Sequence, residues 1–311
     1  MNIFNTIGDT LGSLLGFILW FFFDLFNNFV PAIFIFVVII KMISFPFELK
    51  SRKAMLKSAK FSAKTQEIQK KYANNRQKLN EELAKLYEKE GFNPMGGCLP
   101  QLLPMLVFTG VYGAVFRPLT NLFHISAEAL NSALEVLKTI PGISGDFTSV
   151  YSQLEIIKIF PQVSEKLTMF TPEQISDILD FNQGFNFFGL DLFAVPMTSS
   201  FSTLAWLWPV LSALTMFVSM ILSQKMSGNT QAAPGCAKFM PFLFPLLFVS
   251  LTLYAPAALG VYYTVFNLIS LIQTVLMAKF YSPQSLEAKE EAARIARLEI
   301  IEKEETLTQK R

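Results

Sequence analysis

The sequence predicts an all-α integral membrane protein with five transmembrane helices, a cytoplasmic helical hairpin and an N-terminal amphipathic helix at the membrane interface. Of its 311 residues, 52% are hydrophobic and only 16% are charged, whereas soluble domains carry about 25% charged residues. Apolar runs close to the length of a membrane span, about 20 residues, recur along the chain. Much of the positive charge is concentrated in one polar segment that lies between these runs. Such a composition excludes a disordered chain and disfavours a soluble enzyme.

Residues 1–28 are predicted to form the amphipathic helix. Apolar residues recur at helical spacing between polar ones, and they are Ile3, Phe4, Ile7, Leu11, Leu14, Leu15, Ile18 and Leu19. The apolar run 14–26 is short for a span, and Asp24 interrupts it near its end. We therefore expect this helix to lie in the interface. The alternative is that residues 11–30 cross the membrane, which would leave an inside N-terminus without positive charge.

The first span is predicted at residues 29–49, and the polar segment 50–93 follows it as a helical hairpin. Its first helix is expected at residues 51–72 and its turn at residues 73–76. One face of the second helix is apolar, with Leu79, Leu83, Leu86 and Tyr87. Gly91 and Pro94 are typical of a helix end.

Four further spans are predicted at residues 94–117, 204–223, 238–255 and 257–278. Between the second and third spans lies a long extracytoplasmic region, residues 118–203, in which Thr171, Pro172 and Gln174 match a capped helix start. A short cytoplasmic loop is expected at residues 224–237. Residues 279–311 form a charged tail with a helical pattern.

The orientation follows from the placement of Lys and Arg. Residues 50–93 hold twelve of the 26 basic residues, whereas the longer region 118–203 holds three basic and nine acidic residues. Since cytoplasmic loops carry the excess of positive charge, the hairpin is expected in the cytoplasm and residues 118–203 outside. Five spans then place the N-terminus outside and the C-terminus in the cytoplasm, in a multi-pass protein of the cytoplasmic membrane.

Lys41 is the sharpest candidate for a functional residue, because it lies within the first span. A charge at a helix centre costs about 2.5–3.5 kcal/mol on insertion scales. The other four predicted spans contain no Asp or Glu, so Lys41 is expected to lack an intramembrane partner and to face a wet cavity. The alternative is a lysine that snorkels from a tilted helix. Polar and amphipathic residues that could share the cavity are Gln101, Tyr262, Tyr263, Asn267 and Gln273. For the Tyr and Asn residues, interhelical packing and hydrogen bonding are an equally good interpretation.

Motifs for catalysis are missing from the sequence. It has no HExxH, GxSxG or P-loop pattern, and it contains two cysteines and one histidine. We therefore expect no catalytic residues, no metal site and no cofactor. The basic hairpin suits anionic lipid headgroups or ribosomal RNA as partners, although a solvated positive-inside loop explains the same charge.

Several motifs resemble one known family. The run Lys71–Met105 contains an NP-x-GGC-x-P pattern, formed by Asn93, Pro94, Gly96, Gly97, Cys98 and Pro100. QKMS at residues 224–227, FMP at residues 239–241 and VYYTVFNLISLIQ at residues 261–273 add to it. Together they resemble the YidC/Oxa/Alb membrane protein insertases. The short N-terminal segment resembles the bacterial form that lacks a large outer domain.

The resemblance implies a membrane protein insertase and chaperone that is not an enzyme. In this family five helices enclose a hydrophilic groove, which is open to the cytoplasm and to lipid. An arginine in the first core helix gives that groove its positive charge, and Lys41 occupies the corresponding position. Nascent membrane proteins are the implied partners, together with a Sec-type translocon and the ribosome. A small-molecule transporter or channel is the alternative, which the absence of a visible repeat disfavours.

The sequence also departs from the family pattern. Pro104 stands where relatives often carry Gln, with Gln101 one turn earlier, and region 118–203 is longer than the family pattern suggests. The tail balances seven basic against seven acidic residues, which gives no support to ribosome docking through the tail.

Overall fold

The computed structural model describes residues 3–89, 99–143, 145, 147–200, 204–226 and 240–280, and scattered positions between 288 and 300. The helices are α1 (Ile3–Phe26), α2 (Phe29–Lys71), α3 (Arg76–Lys89), α4 (Leu99–Phe116), α5 (Pro118–Asn121), α6 (Ala127–Thr139), α7 (Ser152–Val163), α8 (Pro172–Gln183), α9 (Leu207–Met226), α10 (Met240–Tyr254) and α11 (Ala257–Phe280). Strands β1 (Asn186–Phe187) and β2 (Leu190–Asp191) form a small antiparallel hairpin. Short 3-10 turns cover Ser164–Lys166 and Pro196–Thr198.

Within the described part of the chain, four helices are long and apolar enough to cross a membrane. They are Gly8–Phe26 in α1, Phe29–Ser51 in α2, Leu207–Gln224 in α9 and Ala257–Phe280 in α11. Three of them coincide with the predicted first, third and fifth spans. The second and fourth predicted spans correspond to α4 and α10, which border residues outside the described part and are not among the four. The fold is therefore that of an all-α membrane protein, and the count of five spans stays a prediction.

Helix α2 continues without a break from the first span into the basic segment. The boundary predicted near residue 50 falls inside a helix of 43 residues, which contains Pro46 and ends at Lys71. Residues 72–75 then lead into α3, close to the predicted turn. A continuous helix forms because residues 51–71 contain six Lys and three Ala, which favour helix, while no glycine interrupts them.

Helix α1 packs along α4 and α5 instead of lying apart from the bundle. A methyl group added to Gly16 would overlap the backbone carbonyl of Asn121, so the two chains approach closely. Asn121 is fully buried, its Nδ2 donates to the carbonyl of Gly113 at 2.9 Å, and its Oδ1 accepts from Ser13 Oγ at 3.0 Å. Arg117 forms an ion pair with Asp9. The helix is therefore part of the bundle and a candidate span, which is the alternative left open by its sequence, and its placement in the interface stays a prediction.

The described residues between 118 and 200 form a helical region that shares an aromatic core with α1 and α2. The predicted capping box is present, since Gln174 N donates to Thr171 Oγ1 at 3.2 Å and Thr171 N donates to Gln174 Oε1 at 3.0 Å. Buried rings pack together where α8 meets the end of α1 and the beginning of α2. The ring centroids of Phe23 and Phe181 are 4.7 Å apart, and those of Phe29 and Phe185 are 4.6 Å apart. This core fixes the region against the helical bundle.

Backbone hydrogen bonds tie this region to the first residues of α2 and α11. Phe29 N donates to the carbonyl of Gly184 at 3.0 Å. Ala257 N and Ala258 N donate to the carbonyls of Ala194 and Leu192 at 2.9 and 3.0 Å. The first N–H groups of a helix lack partners within that helix, so these contacts satisfy them. The same region therefore positions the beginnings of α2 and α11, which pack against each other.

Candidate functional site

Lys41 lies on α2 twelve residues after Phe29, which places it about 18 Å along the helix axis. Only 8% of the residue is exposed, so it is buried within the described residues. A lysine that snorkels from a tilted helix would carry its ammonium group to the surface. The side chain of Lys41 therefore lies inside the protein, and the groove around it stays a prediction.

The expectation that Lys41 lacks a partner is wrong. Its Nζ donates to Glu48 Oε1 at 3.2 Å and forms an ion pair with that carboxylate. Glu48 is seven residues further along α2, which is two turns, so both residues lie on the same face. Sequence reasoning missed the pair because it considered only the acidic residues of the other four spans, not those on the same helix as Lys41.

Lys41 also contacts α11. Its Nζ lies 4.0 Å from the centroid of the Phe266 ring, a distance at which a cation is attracted to the face of an aromatic ring. Phe266 was not among the predicted site residues. It belongs to the same face of α11 as Tyr262, one turn earlier, and their ring centroids are 5.8 Å apart. The Lys41 site therefore consists of Glu48 on its own helix and the face of Phe266 on α11.

The residues of α11 that were predicted to share a cavity contact different neighbours in the structure. Tyr262 is buried beside Phe266. Tyr263 packs its ring against Phe248 of α10, with centroids 5.4 Å apart.

Two amide side chains complete this predicted set on α11. Asn267 Nδ2 donates to the carbonyl of Ser212 on α9 at 3.4 Å, so Asn267 and Tyr263 connect helices, as the alternative interpretation expected. Gln273 is buried, and neither its amide nitrogen nor its amide oxygen forms a hydrogen bond among the described residues.

Some of the predicted residues lie outside the described part of the chain. These are Asn93, Pro94, Gly96, Gly97 and Cys98, and the side chains of Pro100 and Gln101. The helix α4 that carries Gln101 packs against α2.

Comparison with known proteins assigns this chain to a family. Residues 21–284 match the family model described as 60Kd inner membrane protein, and this range contains α2, α11 and the Lys41 site. The chain belongs to this family. The family and the apolar helices make it a multi-pass protein of the plasma membrane.

Curated relatives agree with the family assignment. The chain is 29% identical over 260 residues to the membrane protein insertase YidC of Rickettsia prowazekii, and 28% identical over 271 residues to that of Prosthecochloris aestuarii. These matches cover 84% and 86% of this chain but 37% and 36% of the relatives. The chain therefore spans little more than a third of the length of the curated relatives it matches.

Proposed function

We propose that this protein is a membrane protein insertase and chaperone. It receives nascent membrane proteins from the cytoplasm, holds their polar ends in a positively charged hydrophilic groove and releases their apolar segments sideways into lipid. The observation that carries the proposal is the buried ammonium group of Lys41, held between α2 and α11 in a chain of this family. The YidC relatives bear the name of membrane protein insertase, which favours this function over a small-molecule transporter or channel.

The physical reason for the site is the cost of moving polar groups through hydrocarbon. Unpaired polar groups of an incoming chain would cost several kcal/mol each in the bilayer core. A buried positive charge attracts carboxylates and carbonyl oxygens of that chain, because electrostatic attraction is stronger at low dielectric. The Gln273 amide, which forms no hydrogen bond with the described residues, supports the proposal because it can donate to and accept from a passing backbone. No covalent bond is made or broken, so the mechanism requires no catalytic residue.

The arrangement in the membrane is part of the same proposal. The basic end of α2 and α3 lies in the cytoplasm, the N-terminus and residues 118–203 lie outside, and the C-terminal tail is cytoplasmic. The positive charge of residues 50–93 supports this orientation. Anionic lipid headgroups, a Sec-type translocon and the ribosome are the further partners that we assign to the cytoplasmic side and the bundle.

Depletion of the protein in its native host tests the function. Small single-span membrane proteins are followed by pulse labelling and protease accessibility after depletion. We expect their insertion to slow while soluble proteins are made at the normal rate. Normal insertion in depleted cells that hold no second member of the family would refute the proposal.

A further inference from the structure

The ion pair between Lys41 and Glu48 gives the proposed groove a property that its positive charge alone does not imply. We infer that Glu48 is a built-in counter-ion that competes with carboxylates of the incoming chain for Lys41, and so sets how strongly acidic clients are preferred. The inference rests on the proposed insertase function. It assigns a role to Glu48, which lies on α2 between Lys41 and the basic residues after position 50.

The geometry places Glu48 where a client carboxylate would have to bind. Lys41 Nζ is held by Glu48 Oε1 at 3.2 Å and by the Phe266 ring at 4.0 Å. The exposed fraction of the side chain is 9% for Lys41 and 25% for Glu48. The lysine is therefore the enclosed partner, and the carboxylate is the partner that solvent or another chain can reach first.

The pair also compensates the buried charge of Lys41 when no client is bound. A buried ammonium group without a counter-charge is strongly destabilising, whereas a paired one is tolerated. Phe266 contributes a weaker attraction to the same cation. Glu48 therefore keeps Lys41 charged and in place when no client is bound.

Exchange of one carboxylate for another changes the free energy little, because the ammonium group is paired before and after. A client acid gains only the difference between its own contact and that of Glu48. The carboxylate of Glu48 is released toward its more exposed side, where water can solvate it. Capture of acidic clients is therefore moderate and reversible, which suits a protein that must release its client into lipid.

The test uses the full-length protein in liposomes and two single-span client peptides that differ only by Asp-to-Asn changes in the translocated segment. Photocrosslinking measures the ratio of bound acidic client to bound neutral client. In Glu48→Gln the competing carboxylate is removed, so the carboxylate of a bound acidic client supplies the counter-charge that Glu48 no longer gives to Lys41. We expect this ratio to rise by about threefold to tenfold over the wild type. The matched control is Glu67→Gln, which removes an exposed carboxylate from the same helix and is expected to leave the ratio unchanged.

A charge reversal keeps the test decisive if Glu48→Gln does not fold. The double variant Lys41→Glu with Glu48→Lys retains an internal ion pair with the opposite polarity. Competition predicts that it loses the preference for the acidic client and favours a client with Lys in the same segment. Equal ratios in the wild type, Glu48→Gln and Glu67→Gln, or an unchanged preference after charge reversal, would overturn the inference. Failure of the wild type to insert either client would instead refute the insertase function, so the two outcomes are distinguishable.

Discussion

At the scale of single residues, Lys41 shows how a membrane protein retains a charge inside its span. The Glu48 carboxylate and the Phe266 ring both contact its ammonium group, so burial does not leave the charge uncompensated. The sequence identified Lys41, because a lysine within an apolar run is conspicuous. It did not identify either partner. Glu48 lies two turns away beyond Pro46, and Phe266 is one of 32 phenylalanines, so neither is distinguished by its local sequence.

Asp177 on α8 is expected to make the stability of the folded protein depend on pH. Its partial burial, together with the negative charges of Glu173, Asp180 and Asp24, raises the pKa of this carboxyl above its usual range. The folded state then binds a proton more readily than the unfolded state, so stability falls as pH rises through the interval between the two pKa values.

We expect Asp177→Asn to remove the loss of folding stability that Asp177 causes as pH rises. Its melting temperature should exceed that of the wild type at pH 7. The gain should disappear at pH 3, below the ordinary Asp pKa of about 3.9. Thermal unfolding in detergent at both pH values measures the difference, with Glu135→Gln on the exposed face of α6 as the control. A melting temperature for Asp177→Asn that lies below the wild type at pH 7 would contradict this explanation.

At the scale of elements, the close contact between α1 and α5 depends on Gly16. Any side chain at this position would meet the backbone of Asn121, which a rotamer change cannot relieve. We expect Gly16→Val to destabilise the fold by about 1–3 kcal/mol, the usual cost of overpacking. Thermal unfolding in detergent measures the change. Leu14→Val on the outward face of α1, where 65% of Leu14 is exposed, is the control and should unfold close to the wild type. A Gly16→Val protein as stable as this control would show that α1 is not closely packed there.

Most helices could be predicted from the sequence, and their contacts could not. Apolar length located α2, α9 and α11, and the capping residues Thr171 and Gln174 located the start of α8. The continuity of α2 was missed because a change in polarity near residue 50 does not by itself end a helix. The packing of α1 was missed because Gly16 and Asn121 are far apart in the chain, and only the folded structure brings them together.

At the scale of the whole molecule, backbone hydrogen bonds and packed aromatic rings hold one end of the bundle together. The loops around Gly184 and Ala194 hold the first residues of α2 and α11 through backbone hydrogen bonds, and the aromatic core between Phe23, Phe29, Phe181 and Phe185 packs beside them. Lys41 and Phe266 therefore lie on two helices that are fixed at the same end. The basic segment continues from the opposite end of α2, which leaves that end of the site for an incoming chain under the proposed function.

The role of the Lys41 charge is measured most directly by insertion of a purified acidic single-span protein into liposomes that contain this protein as their only membrane protein. We compare the wild type, Lys41→Arg and Lys41→Met by protease protection of the translocated segment, after confirming by thermal unfolding that each variant is folded. We predict that Lys41→Arg inserts at close to the wild-type rate and that Lys41→Met is slower by about tenfold to a hundredfold, since hydrogen bonds to a charged group contribute about 1.5–3 kcal/mol. Equal insertion by folded Lys41→Met and wild type would contradict this prediction.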